Sequence, residues 1–202
     1  MEAEVYYIMN LFILDLDPVS AAQQQCDKHV PKMIVESAQM LSTAHRMLDG
    51  QETRRPSKSG KTMVRYYDLY LGADDLEAEL LYYKAVHHKH PCTQWTMRSD
   101  SNYRWHHDHF CALCDEYTYR YSKLHKTDLE LRGALSNLPK NIPIGKMTKF
   151  RLAMGSNPEC MFDDPVKSYR AFYQTKQYRF AMKWSKRPVP EWFQYADLHA
   201  AQ

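Results

Sequence analysis

Apolar side chains recur at helical spacing through Met33/Ile34, Ser37, Met40/Leu41, Ala44 and Met47/Leu48, which predicts a helix running to about Asp49. Pro31 either opens that helix or kinks a longer one. Upstream, "DLDPVSAAQQQ" sets Asp17 at an N-cap and Pro18 at the first helical position, where a missing N–H does no harm. "DDPVKSYRAFYQTKQYRFAMKW" repeats the device, with Asp164 as cap and Pro165 in the first turn of a helix expected to reach about Trp184. Between them, helices are expected over Ala73 to Val86 and over about Ser101 to His125, with a break at Pro91. Residues 134–163 hold Pro139, Pro143 and Pro158 and read mostly as loop. The run "VYYIMNLFIL", Val5 to Leu14, reads as a buried strand or a short helix. "DGQETRRPSKSGKT", residues 49–62, reads as a mobile basic loop, residues 1–8 as a candidate extension and residues 185–202 as an extended tail. Strand-like alternation is scarce. The expected fold is mainly α, a single-domain helical bundle over residues 1–202 with long loops and at most one short N-terminal strand.

Composition narrows the function classes. At 44% apolar residues the chain can build a core, which argues against wholesale disorder. A net charge of +3 permits nucleic-acid binding without demanding it. The 15 tyrosines, seven phenylalanines and four tryptophans say more, because several alternate with Arg and Lys, as base stacking and phosphate contact require together. Five cysteines without a secretory signal point to reduced thiols in a cytosol. No apolar run approaches the roughly 18 residues of a membrane span, so no membrane association is expected.

The densest chemistry is "CDKHVPKMIVE", residues 26–36. Seven residues are almost two helical turns, so His29 and Glu36 lie within about 20° of each other on a regular helix. Both flank the apolar stripe, where a cleft wall belongs, and a half-buried Glu with His29, Lys32 and Asp27 nearby is a candidate acid/base centre. The alternative is that Asp27 and Glu36 serve the helix dipole while Lys28 and Lys32 are solvated. A second cluster, His90, Trp95, Arg98, Ser99 and Asn102, falls near a helix start and suits a phosphate seat; alternatively Ser99 is a simple cap and Trp95 a core anchor. Tyr119, Arg120, Lys123 and His125 close the long helix with basic and aromatic groups, which the helix dipole also explains. Arg170, Tyr173 and Lys176 belong to a C-terminal helix with one aromatic and one basic face, either a core helix with a wet side or a surface that tracks a phosphate backbone. The histidines and "CALC" lack a second ligand pair, so Cys111 and Cys114 read as core residues and neither metal nor cofactor is expected. "SGKT" at 59–62 lacks the glycine a phosphate loop needs, since position 55 is Arg.

Together these stretches resemble the pyrimidine-dimer DNA glycosylase family of the phage endonuclease V type, along with uncharacterised phage proteins of similar style. The resemblance rests on Asp27-Lys28-His29 with Glu36 seven residues after the His, on "HPCTQW" followed by "EYTYRYSKLH", and on the aromatic-basic C-terminal helix. It implies a small all-α enzyme of DNA repair that flips a nucleotide out of the duplex and attacks the sugar C1′. Glu36 is then the catalytic carboxylate, and His29 a DNA or sugar contact. The chain departs from the family in two ways. "MEAEVYYI" precedes Met9-Asn10, displacing the α-amine that serves the family as nucleophile, and Val35 and Gln39 stand where the family has arginines. A hydrolytic route through Glu36, or an amine from Lys28 or Lys32 with a pKa lowered by burial, replaces it. The expected function is a DNA glycosylase excising a damaged or modified pyrimidine. The alternatives are a phage DNA-hypermodification transferase acting on a modified pyrimidine in DNA, a non-catalytic nucleic-acid-binding protein and, last, a metal-dependent hydrolase.

Overall fold

A computed structural model describes residues 10–69 and 76–196, with the backbone alone for 76–78. Within them the protein is mainly α. The first helix, α1 (Pro18–Gln23), starts as its sequence dictates: Asp17 accepts a hydrogen bond from the Ser20 amide at 2.7 Å, and Pro18 occupies the first turn. The next, α2 (His29–Asp49), begins two residues before Pro31, so the proline lies in the first turn and kinks nothing. A proline there leaves the Asp27 carbonyl without its helical donor, and the Tyr121 hydroxyl supplies one at 2.8 Å. Helix α2 stops at Gly50, where a Cβ would lie 2.4 Å from the Arg46 carbonyl.

Residues 49–62 are only in part the loop that their polarity predicts, since 57–62 turn between two strands. Gln51–Pro56 (β1) and Met63–Asp68 (β2) form an antiparallel hairpin, with Gln51 opposite Asp68 and Pro56 opposite Met63. Neither face is deeply buried, so no apolar alternation betrays the strands. Cross-strand polar contacts hold them instead: Asp68 pairs with Arg55 and accepts from Thr53 at 2.6 Å. Gly60, at φ +70°, supplies the left-handed backbone of the turn.

The helix expected over Ala73 to Val86 is described only as α3 (Leu76–Leu81). Arg46 explains where it ends. Its buried guanidinium takes the carbonyls of Glu79, Tyr82 and Tyr83 at 2.9, 2.8 and 2.7 Å, which draws the chain out of the helix. The same group bonds the Tyr67 carbonyl and the Glu79 carboxylate, so one arginine ties α2 to the hairpin and to α3.

Pro91 opens a short helix, α4 (Pro91–Thr96), capped by His90 through the Cys92 amide. The long helix α5 (Asp100–Tyr121) is capped by Ser99 and closed by Ser122 in the left-handed conformation. Helix α6 (Lys126–Leu135), unanticipated in the sequence, follows with His125 as its cap. Residues 136–164 are irregular apart from one 3₁₀ turn at Pro158–Cys160. Asp164 caps α7 (Pro165–Gln174), which ends about ten residues earlier than expected, in a 3₁₀ turn at Thr175–Tyr178. Beyond it Met182 and Trp184 alternate inward while Ala181 and Lys183 face out, a period-two pattern that no helix can satisfy. The Trp184 indole then donates to the Gln24 carbonyl at 2.8 Å.

Helices α1 and α2 both pack on α5, and the core runs continuously from Leu11–Leu14 through Ile34, Leu41, Phe110, Leu113, Tyr169 and Phe172 to Phe193. No strand forms over residues 10–14; the rest of the expected N-terminal strand, and the extension at 1–8, lie outside the described residues. Over 185–196 the tail expected to be extended makes turns at 185–186 and 191–192 and is anchored, while 197–202 lie outside the described residues. Ser185 bonds Asp27, Arg187 pairs with Glu116, and Trp192 donates to Gln24.

Candidate active site

The start of α2 and the turn after α7 face each other across a cleft of about 270 Å³. Lys28, His29 and Lys32 form one wall, Lys176, Arg179 and Phe180 the other, with Phe12 between. His29 is 5% exposed and fixed from three sides. Its Nδ1 meets the Tyr173 hydroxyl at 2.7 Å, its ring stacks on Phe12 at 4.9 Å, and the Phe180 ring approaches it at a centroid distance of 5.2 Å. Tyr173 is in turn fixed by the Cys26 amide, which donates to its oxygen at 2.9 Å. Burial, reinforced by Lys32, Lys176 and Lys28, holds the imidazole down to about 3, so His29 presents a neutral ring near pH 7.

Glu36 lies two turns further along α2, with its side chain 13% exposed. One carboxylate oxygen accepts the Asn10 amide at 3.0 Å and the other pairs with Lys32 at 3.3 Å. Burial raises its pKa, while Lys32 and the Asn10 amide pull it back. Lys32 joins this carboxylate to the cleft, since it lines the cleft and holds Glu36. A carboxyl with opposing influences on its proton, beside a cation and a cleft, can act as general acid or base.

Lys176 is buried, 6% exposed, and its Nζ sits 3.4 Å from the centre of the Phe172 ring. Desolvation, then Arg179 and Lys32, lower its pKa to about 8. Lys28 is exposed and lies over Phe180 at 4.5 Å. The buried amine of the cleft is thus Lys176, not Lys28 or Lys32.

Asp27 is turned away from this cleft. Its carboxylate accepts from Arg120 at 2.9 Å and from the amide and hydroxyl of Ser185 at 2.8 and 2.7 Å, so it anchors the tail. Arg120, expected on a solvated face, is buried between Glu116 and Asp27. Tyr119 is exposed, with Arg187 over its ring, Lys123 is exposed, and His125 serves as a helix cap. Arg170 donates to the Leu14 carbonyl at 2.9 Å and lies over Trp192.

The 90–102 cluster divides. Ser99 caps α5, and Asn102 bonds Trp95 and Thr148, pinning the irregular segment to α5. Trp95 is a core anchor stacked on Phe150 at 4.6 Å. Arg98 is exposed and lines a broader cleft of about 820 Å³ together with Lys149 and Arg151. Lys149 and Arg151, like Phe12 in the smaller cleft, did not stand out in the sequence, whereas Arg179 and Phe180 belong to the aromatic-basic C-terminal segment read there as a helix. "KMTKFRLAM" carries an alternating basic pattern that could have shown the first two, whereas Phe12 is hidden in an apolar run.

Among the described residues no three His, Cys, Asp or Glu side chains gather into a metal-holding group, and no helix is long and apolar enough to cross a membrane. His106, His109 and Cys114 are buried in the core. Comparison of the chain with protein-family models, with curated proteins and with solved structures finds no match. The glycosylase resemblance therefore rests on the motifs quoted above.

Proposed function

We propose that the protein is a DNA-base-directed enzyme, a glycosylase that excises a damaged or modified pyrimidine with Glu36 as its catalytic carboxylate. The observation that carries the reading is the placement of Glu36: half-buried, held by the Asn10 amide and Lys32, and linked through Lys32 to a cleft walled by cations and aromatic rings. Phe180, half-buried at the cleft, offers a ring for a flipped base or sugar, Phe12 backs His29 from within, and Lys28, Lys32 and Arg179 suit the flanking phosphates. Neutral His29, oriented by Tyr173, contacts the nucleotide without adding charge. Glu36 either activates water for attack on C1′ or stabilises the cation that develops there as the base leaves. The broader cleft with Arg98, Lys149 and Arg151 supplies a second phosphate-binding surface.

Duplexes bearing a thymine dimer, uracil, 5-hydroxymethyluracil or a glucosylated hydroxymethylcytosine test the reading. One of them is expected to yield abasic sites, and Glu36→Gln to slow that release by about 100-fold or more. Undiminished release by the variant overturns the assignment of Glu36. A substrate base that gains mass while its glycosidic bond stays intact points to the transferase. Salt-dependent binding with no product from any duplex points to a binding protein.

A further inference from the structure

We propose that Lys176 is an imine-forming amine, and that the cleft around it takes an aldehyde carried beside a phosphate group. The inference concerns the cleft of the proposed glycosylase but does not require base excision.

Three features of the cleft converge on this assignment. First, Lys176 is the buried lysine of the cleft, and its Nζ has no ion pair or hydrogen bond with any described residue but rests on the face of Phe172. The other two lysines differ, since Lys32 is held by Glu36 and Lys28 is exposed over Phe180. Second, the lining contains no carboxylate, while Lys28, Lys32 and Arg179 bring three further cations to about 270 Å³. Such a site selects an anion, and a phosphate dianion matches several cations better than a carboxylate does. Third, burial and the nearest cations both act to remove the proton from Lys176. Burial beside Phe172 removes water, and Arg179 on its own segment and Lys32 on α2 repel the charged form; the Cys160 thiol on the neighbouring 3₁₀ turn opposes them weakly. His29 on the opposite wall, beside Lys32, stays neutral. With a pKa near 8, about a quarter of the amine is neutral at pH 7.5, against roughly 0.1% for an ordinary lysine. A desolvated lysine beside other cations is a recognised way to activate an amine nucleophile.

The step balances without any oxidant. The Nζ lone pair forms a bond to the aldehyde carbon as the carbonyl π pair moves to oxygen. A proton passes from nitrogen to that oxygen. The oxygen takes a proton from solvent and leaves as water while the nitrogen lone pair completes the C=N bond, and the resulting iminium returns its N–H proton to solvent. Amine and aldehyde give imine and water. Two sources carry such an aldehyde beside a phosphate: the ring-opened sugar of an abasic site in DNA, and a free phosphorylated aldehyde.

The test uses the full chain and borohydride, which reduces an imine to a stable amine that peptide mass spectrometry locates. Pyridoxal 5′-phosphate is the probe, pyridoxal the control without phosphate, and a duplex with one abasic site the DNA arm. Lys176 is expected to be labelled ahead of every other lysine, with the phosphorylated probe favoured over pyridoxal by about tenfold or more. Labelling is expected to level off with a midpoint near pH 8 instead of rising through pH 10. Lys176→Arg should remove the label at unchanged circular dichroism, and Lys176→Met provides a second variant should the arginine crowd Phe172. An adduct between Lys176 and the abasic duplex assigns the source to DNA; labelling by the free probe alone assigns it to a small molecule. Labels spread over exposed lysines, equal reaction with pyridoxal, or a midpoint above pH 10 overturn the proposal. Base release without a trapped adduct sinks Lys176 and leaves the glycosylase reading. An adduct at Lys176 with no base released from any duplex does the reverse.

Discussion

Acidification should unfold this protein sharply, because four of its imidazoles are buried in the neutral form. Burial holds His29 and His109 down to about 3 and His45 to about 4, and His106 well below its ordinary value. Their surroundings explain why no proton is welcome. His109 lies flat on Trp105 with Nδ1 unpartnered, His106 bonds Thr96 at 2.7 Å with Nε2 unpartnered, and His45 meets the Tyr103 hydroxyl at 2.8 Å and stacks on Tyr82. In the unfolded chain each ring takes up a proton near pH 6.5. Between that pH and the depressed folded values the unfolded state binds more protons, so stability is full above about pH 6.5 and is lost as the pH falls below it. Each of the three rings held at about 3–4 contributes about 1.4 kcal/mol per pH unit, or about 2 kcal/mol by pH 5, so the three together about 6 kcal/mol, and His106 acts in the same direction. That rivals the roughly 5–15 kcal/mol by which a typical domain is stable. Glu36, whose pKa is raised, works in the opposite sense and offsets a part. Urea unfolding followed by tryptophan fluorescence from pH 8 to pH 5 measures the slope directly. It should be shallow above pH 7, where Lys176 near 8 still adds a small rise, and approach about 4 kcal/mol per pH unit near pH 5.5 from the three rings held at about 3–4. His109→Gln, which keeps a polar side chain without a titratable ring, should lower that slope by about one proton. Equal stability at pH 5 and pH 7, or an unchanged slope in His109→Gln, refutes the reasoning.

Two further substitutions probe the polar framework. Arg120→Ala leaves Glu116 and Asp27 short of a buried cation and should cost about 3–5 kcal/mol in urea unfolding, with earlier proteolytic cleavage in the 185–196 tail that Asp27 and Glu116 anchor. Tyr173→Phe removes the oxygen shared by the Cys26 amide and His29, and should cost about 1–3 kcal/mol in thermal unfolding. It should also slow whichever reaction the cleft performs, because His29 loses the partner that orients it; unchanged turnover would mean that its orientation is immaterial.

What could be read from the sequence was local. The starts of α1 and α7 follow from Asp17-Pro18 and Asp164-Pro165, since a cap is a hydrogen bond to an amide two or three residues away. The body of α2 follows from its 3.6-residue period, and with it the placing of His29 and Glu36 on one side of a helix. Tertiary structure decided the rest, because the partners come from far along the chain. Nothing near Arg120 announces that Asp27, 93 positions away, will bury it. Nothing near Arg46 announces the hairpin and the carbonyls of α3 that it holds. The hairpin buries neither face, so no apolar alternation marked it in the sequence. The same holds for the amine of the cleft. Lys28, Lys32 and Lys176 are alike as letters, and only packing against Phe172, with Arg179 and Lys32 at close quarters, strips water from one of them and lowers its pKa. Sequence sets the hydrogen bonds and periodicities that lie within a turn or two; desolvation and charge pairing exist only once the chain has closed on itself.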